Sequence, residues 1–187
     1  MSLAQLSQAA QVQALPIKPD DVAKFVDGLL NGLVQENNFD EIQTCLKDQE
    51  TLAPMLVEAI DDFKKKDVMD IIKAVTIVGK MLATVETDLT DCGSMGPDLL
   101  RIKAWSAIFK NPIKLFQVMF TNTLSHIDAI HTDIGSIIVD AETDQMKDLG
   151  EQIADILVLQ LGPVPKINDY YFGVFGEQPA ETLFWKQ

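Results

Sequence analysis

The sequence predicts an all-α protein: an antiparallel helical bundle of about six to seven helices with an irregular aromatic C-terminal arm. Three observations predict it. From residue 20 to 161, apolar side chains recur at spacings of three and four, the period of one helical face. Polar turns of only a few residues separate these segments, which favours antiparallel neighbours. No stretch alternates apolar and polar residues as a half-buried strand would. With 187 residues, 47% of them hydrophobic, the chain can bury a substantial core as one domain.

Pro19 with Asp20 and Asp21 opens the first helix, placing carboxylates at the positive end of its dipole. Val22, Phe25, Val26, Leu29, Leu30, Leu33 and Val34 form its stripe, and Asn37-Asn38 closes it. Phe39, Ile42, Cys45 and Leu46 continue the pattern in a short second helix. Thr51 is placed to cap a third, with Leu52, Met55, Leu56, Ala59, Ile60 and Phe63 facing inward. Pro54 then falls in the first turn, where a missing backbone donor costs little.

Lys64-Lys65-Lys66 at the end of this helix and Asp67 at the start of the next suit both dipoles and read as a helix-turn signature. The fourth helix carries Val68, Ile71, Ile72, Val75, Val78, Leu82 and Val85 and should end near Glu86. An irregular stretch with Cys92, Gly93, Gly96 and Pro97 follows, then a fifth helix capped by Asp98, with Leu99, Ile102, Trp105, Ile108 and Phe109. Asn111-Pro112 starts what should be the longest element. In it Ile113, Phe116, Phe120, Leu124, Ile127, Ile130, Ile134, Ile137, Ile138 and Ala141 trace one stripe over about eight turns. A last helix runs from about Asp144 to Leu161 and stops at Gly162-Pro163. The bundle thus spans 19–162, between an N-terminal arm (1–18) and an extended C-terminal arm (163–187).

Charge narrows the function classes. There are 28 acidic against 15 basic side chains, a net charge of −13, and Arg101 is the sole arginine. Attraction to nucleic acid or anionic lipid needs Lys and Arg, so both are disfavoured, and protein partners with basic surfaces fit better. A membrane span needs about 20 mostly apolar residues; the best uncharged apolar stretch, Ile156 to Pro165, is half that length. Gln5, Ser7, Gln8, Gln11 and Gln13 break up any secretory h-region, and an Arg-rich presequence is lacking. The expectation is a soluble protein, with an intracellular location favoured.

Catalytic groupings are thin: no nucleophile elbow, P-loop, GxGxxG or HExxH is present. Gly28-x3-Gly32 on the first helix reads as a site of close helix packing. His126 and His131 are five apart, whereas helical metal pairs sit three or four apart on one face. Asp140, Glu142, Asp144, Asp148 and Glu151 fall on positions 1, 3, 5, 9 and 12 of a calcium loop. Position 6, where the turn needs glycine, is Gln145, and the bland reading is an acidic connection between two helices. No cofactor is expected. Cys45 and Cys92 either form a disulfide, adding roughly 3–4 kcal/mol by loop entropy, or pack as reduced thiols.

Tyr170, Tyr171, Phe172, Phe175, Phe184 and Trp185 are six of 13 aromatic residues, set in the last 18 positions among glycines and prolines. Such a segment either folds back over the bundle or docks on another protein, and aromatic side chains are favoured at interface cores. Two non-catalytic classes follow. The first is a structural or accessory subunit that binds other proteins through its terminal arms and acidic bundle surface. The second is a carrier of an apolar small molecule or lipid in a bundle cavity.

Cys45-Leu46-Lys47-Asp48, Asp91-Cys92 and the run Ile153 to Leu159 with Gly162-Pro163-Val164 resemble an uncharacterised family of small two-cysteine helical proteins from single-celled eukaryotes. The resemblance covers about residues 20 to 165. It implies paired cysteines and, in many members, an initial secretory signal, from which this N-terminus departs. It implies no activity or ligand, and it leaves both arms outside.

Overall fold

The computed structural model describes residues 17–35, 39–93 and 96–166. Among them are eight α-helices and no strand: α1 (Pro19–Val34), α2 (Phe39–Cys45), α3 (Gln49–Lys64), α4 (Val68–Asp91), α5 (Gly96–Ser106), α6 (Pro112–Ser125), α7 (Ile127–Glu142) and α8 (Met146–Leu161). A single 3-10 turn, Ala107–Lys110, joins α5 to α6. The expected all-α bundle is therefore the fold. No helix among the described residues is long and apolar enough to cross a membrane.

The centre of the bundle is the α1–α8 pair, and glycine makes it possible. A Cβ on Gly28 would collide with the backbone carbonyl of Lys147, and one on Gly150 with the backbone of Phe25 and Leu29. A Cβ on Gly32 would lie 2.5 Å from that of Ala154. The Gly28-x3-Gly32 motif is thus a packing motif. The contact points climb both helices together (Gly28 with Lys147, Gly32 with Ala154), so α1 and α8 run in the same direction.

Around this pair, α3 and α4 form a hairpin, and Asp67 Oδ1 caps α4 by accepting the Asp70 N–H at 3.0 Å. The lysine triplet makes the turn, with Lys66 in the left-handed region at φ 65°. Ile60, Phe63, Ile71, Val75, Val78 and Leu82 are wholly buried in the shared core. Asn111 opens α6 by accepting the Lys114 N–H, with Pro112 in the first position, where its missing donor is not needed.

Four element expectations need correction. Helix α3 begins at Gln49, not after Thr51, so Pro54 sits inside it and removes one rung of the backbone ladder. Helix α4 runs on to Asp91 rather than stopping near Glu86, because nothing between them breaks a helix; its 24 residues make it the longest described element. Helix α5 starts at Gly96, which leaves Asp98 in the first turn as the partner of Arg101 rather than as the cap. The long element from Pro112 is two helices, divided at His126 (φ −121°, ψ 22°). Short polar side chains lead into that break, and Ser125 Oγ donates back to the Thr121 carbonyl at 3.0 Å.

Candidate functional site

Helix α6 carries apolar residues on two rows. The inner row, Leu115 and Met119 with Thr123, is buried against α4 and α8. The outer row is Ile113, Phe116, Phe120 and Leu124, which are 74%, 42%, 39% and 51% exposed. Phe116 and Phe120 stack on each other with ring centroids 5.7 Å apart. Four large apolar side chains in one exposed row is the kind of patch that marks an interaction surface. The row had been expected to face the core. Within α6, at about 100° per residue, Ile113, Phe116, Phe120 and Leu124 lie within about 45° of one direction, and the buried Leu115, Met119 and Thr123 centre roughly 105° round the axis from it.

The floor beside this row is polar and fixed. Asn122 Nδ2 donates to the Gln160 carbonyl at 2.6 Å, and Gln160 Nε2 donates to Thr123 Oγ1 at 2.7 Å. These bonds lock α6 onto the end of α8. Between them and the exit of the chain lies an open groove of about 480 Å³, lined by Gln117, Val118, Thr121, Val158, Gly162 and Pro163 among others. Past the groove the chain runs on α5: the wholly buried Trp105 donates from Nε1 to the Gly162 carbonyl at 2.9 Å. Arg101 donates from Nε to the Pro165 carbonyl at 2.7 Å and pairs with Asp98 at 2.8 Å.

The stretch from the middle of α5 through α6 differs in charge from the rest of the chain. From Leu99 to Ile127 the sequence holds Arg101, Lys103, Lys110 and Lys114 and no Asp or Glu. The net charge of −13 is therefore carried elsewhere on the chain. This 29-residue gap in the acidic residues was the signal available in the sequence for the α5–α6 side, and helical periodicity alone misses it.

The other expected residues are placed as follows. Tyr170, Tyr171, Phe172, Phe175, Phe184 and Trp185 lie outside the described residues. The five calcium-pattern carboxylates do not form a loop: Asp140 and Glu142 end α7, Asp148 and Glu151 belong to α8, and Asp144 sits in the three-residue connection between them. Without glycine at the sharp turn the segment folds as helix–turn–helix. Among the described residues no three His, Cys, Asp or Glu side chains could hold a metal ion. The histidines are also apart, each with a backbone partner: His126 Nδ1 at 3.0 Å from the Asn122 carbonyl, His131 Nε2 at 2.8 Å from that of Lys66.

Cys45 and Cys92 are joined in a disulfide with their Cα atoms 5.6 Å apart, tying the end of α2 to the end of α4. The buried Asp88 reinforces this corner by accepting the Lys47 N–H at 2.9 Å.

A second feature is the acidic seam between α7, α8 and α1. Burial, then the charge of Asp155, raises the Asp133 carboxyl to about 6. Burial and Glu151 likewise raise Asp155. Asp27 is 2% exposed and stands 3.7 Å from Lys147, with burial raising its pKa against the pull of that lysine. Glu151 accepts from Asn31 at 3.0 Å.

Fold and surface together define a disulfide-linked helical bundle whose most distinctive surface is an apolar helix face. The chain belongs to the secreted protein B-like (SctB-like) family, which it matches over residues 4–160. That family replaces the uncharacterised one from single-celled eukaryotes suggested by the cysteine motifs, and it takes in most of the N-terminal arm. A family described as secreted also gives no support to the intracellular preference. No curated protein and no solved structure matches the chain.

Proposed function

We propose that this chain is a non-enzymatic accessory protein that works outside the reducing cytosol and binds other proteins in a larger assembly. The observation that carries the reading is the outer row of α6, since a soluble surface rarely holds four large apolar side chains in line without a partner for them. The family's secreted description and the Cys45–Cys92 bridge support the compartment, because disulfides persist where the medium is oxidising. The six C-terminal aromatic residues are the second binding element. The acidic remainder of the bundle serves partners with basic surfaces.

The test is the mass of the natively extracted particle, by size exclusion with light scattering. The expected particle is well above 20.7 kDa, and Phe116→Glu with Phe120→Glu returns it to the bare chain with helix content unchanged. A wild-type particle of 20.7 kDa would end the proposal.

A second reading, carriage of an apolar small molecule or lipid, draws on the groove beside α8, whose volume falls in the usual ligand range. Native mass spectrometry of the extracted chain tests it by looking for a released small molecule.

A further inference from the structure

We infer that in the free chain the outer row of α6 is covered by the chain's own C-terminal segment, residues 167–187, so that its two protein-binding elements shield one another until a partner separates them. The inference rests on the protein-binding reading above and names the occupant of the face.

Where the segment starts is the first argument. Gly162 and Pro163 line the groove beside α6, and Trp105 and Arg101 hold the next residues on α5. The chain therefore passes beside α6, on the flank next to the row, a few residues before the segment starts. The row is about 17 Å long, and 21 residues reach up to about 70 Å.

Composition and charge agree. Residues 167–187 hold six aromatic side chains with Ile167, Val174 and Leu183, enough to cover four apolar residues. They carry Asp169, Glu177 and Glu181 against Lys186, while α6 carries Lys114 and no carboxylate. An acidic, aromatic segment thus meets an apolar row on a helix whose one charged residue is Lys114.

A second copy of the chain fits less well. Four partly exposed side chains offer on the order of 400 Å², against about 800 Å² per partner in a stable interface. Each copy would also bring a net charge of −13. A tethered segment needs less area, because its effective concentration is about millimolar.

The experiment is photo-cross-linking of the full chain with p-benzoylphenylalanine in place of Phe116, an exposed position where the change is tolerated. The expected product has the mass of one chain, joins position 116 to residues 167–187, and forms in the same yield after tenfold dilution. Tyr171→Ser, Phe172→Ser and Phe175→Ser together should cut that yield at least fivefold. A product of two-chain mass would assign the face to a second copy and overturn the inference, and absence of any product joining position 116 to 167–187 would do the same.

The two proposals fail separately. A cross-link in a chain extracted as a bare 20.7 kDa particle would remove the partner and keep the shielding. A large particle lost on Phe116→Glu and Phe120→Glu, with no cross-link, would do the reverse.

Discussion

Helices α6 and α7 come from one run of apolar residues and end with opposite roles. Ile130, Ile134 and Ile137 of α7 are wholly buried, while Ile113, Phe116, Phe120 and Leu124 of α6 face outward. Their spacing is the same three and four. The difference teaches that spacing identifies a face without saying what covers it. The break at His126 also resets the helical phase, so a row drawn straight over eight turns does not carry on from α6 into α7. Helix α6 has a second apolar row in Leu115 and Met119, and the bundle used that one, bringing Thr123 in with it.

The comparison can be broken most directly by truncation. Ile134→Ala should cost about 2–5 kcal/mol, a fully buried large-to-small change, whereas Phe120→Ala on the outer row should cost less than half as much. Equal losses in denaturant unfolding would mean that the two rows are equally buried. Thr123→Val keeps the volume of the inner row and removes the acceptor of Gln160 Nε2, whose amide oxygen already lacks a partner among the described residues. That should cost about 1–3 kcal/mol, since a buried donor is left unpaired.

The smallest expected effect concerns pH. A carboxyl raised from 3.8 to about 6 binds its proton more tightly in the folded chain. The stability it contributes is present below the unfolded value and is lost as pH rises through about 6. Asp133→Asn should therefore stabilise the bundle at pH 8 by about 1 kcal/mol, after allowance for partial exposure, and by almost nothing at pH 4. A gain of equal size at both pH values would show that Asp133 titrates normally.

Much of the fold was legible because its causes are local. Asp67 caps α4 as its position predicts, and the glycines four apart on α1 do admit a neighbouring helix. What escaped depends on partners distant in the chain. Pro54 is tolerated inside α3, and Asp98 serves Arg101 instead of a helix end. Cys45 and Cys92 left two readings open, because pairing depends on α2 and α4 ending side by side. The face on α6 was legible only as a missing acidic residue between Leu99 and Ile127, a signal of charge and not of period.

The attachment of the chain's end to α5 has a mechanical consequence. A partner pulling on residues beyond Lys166 would load the Arg101 and Trp105 hydrogen bonds before it reached the last turn of α8. Such a load would enter α5, which packs on α4 and the 3-10 turn, before it entered the α1–α8 pair. The sole arginine is thereby an anchor point for the chain as it leaves the bundle.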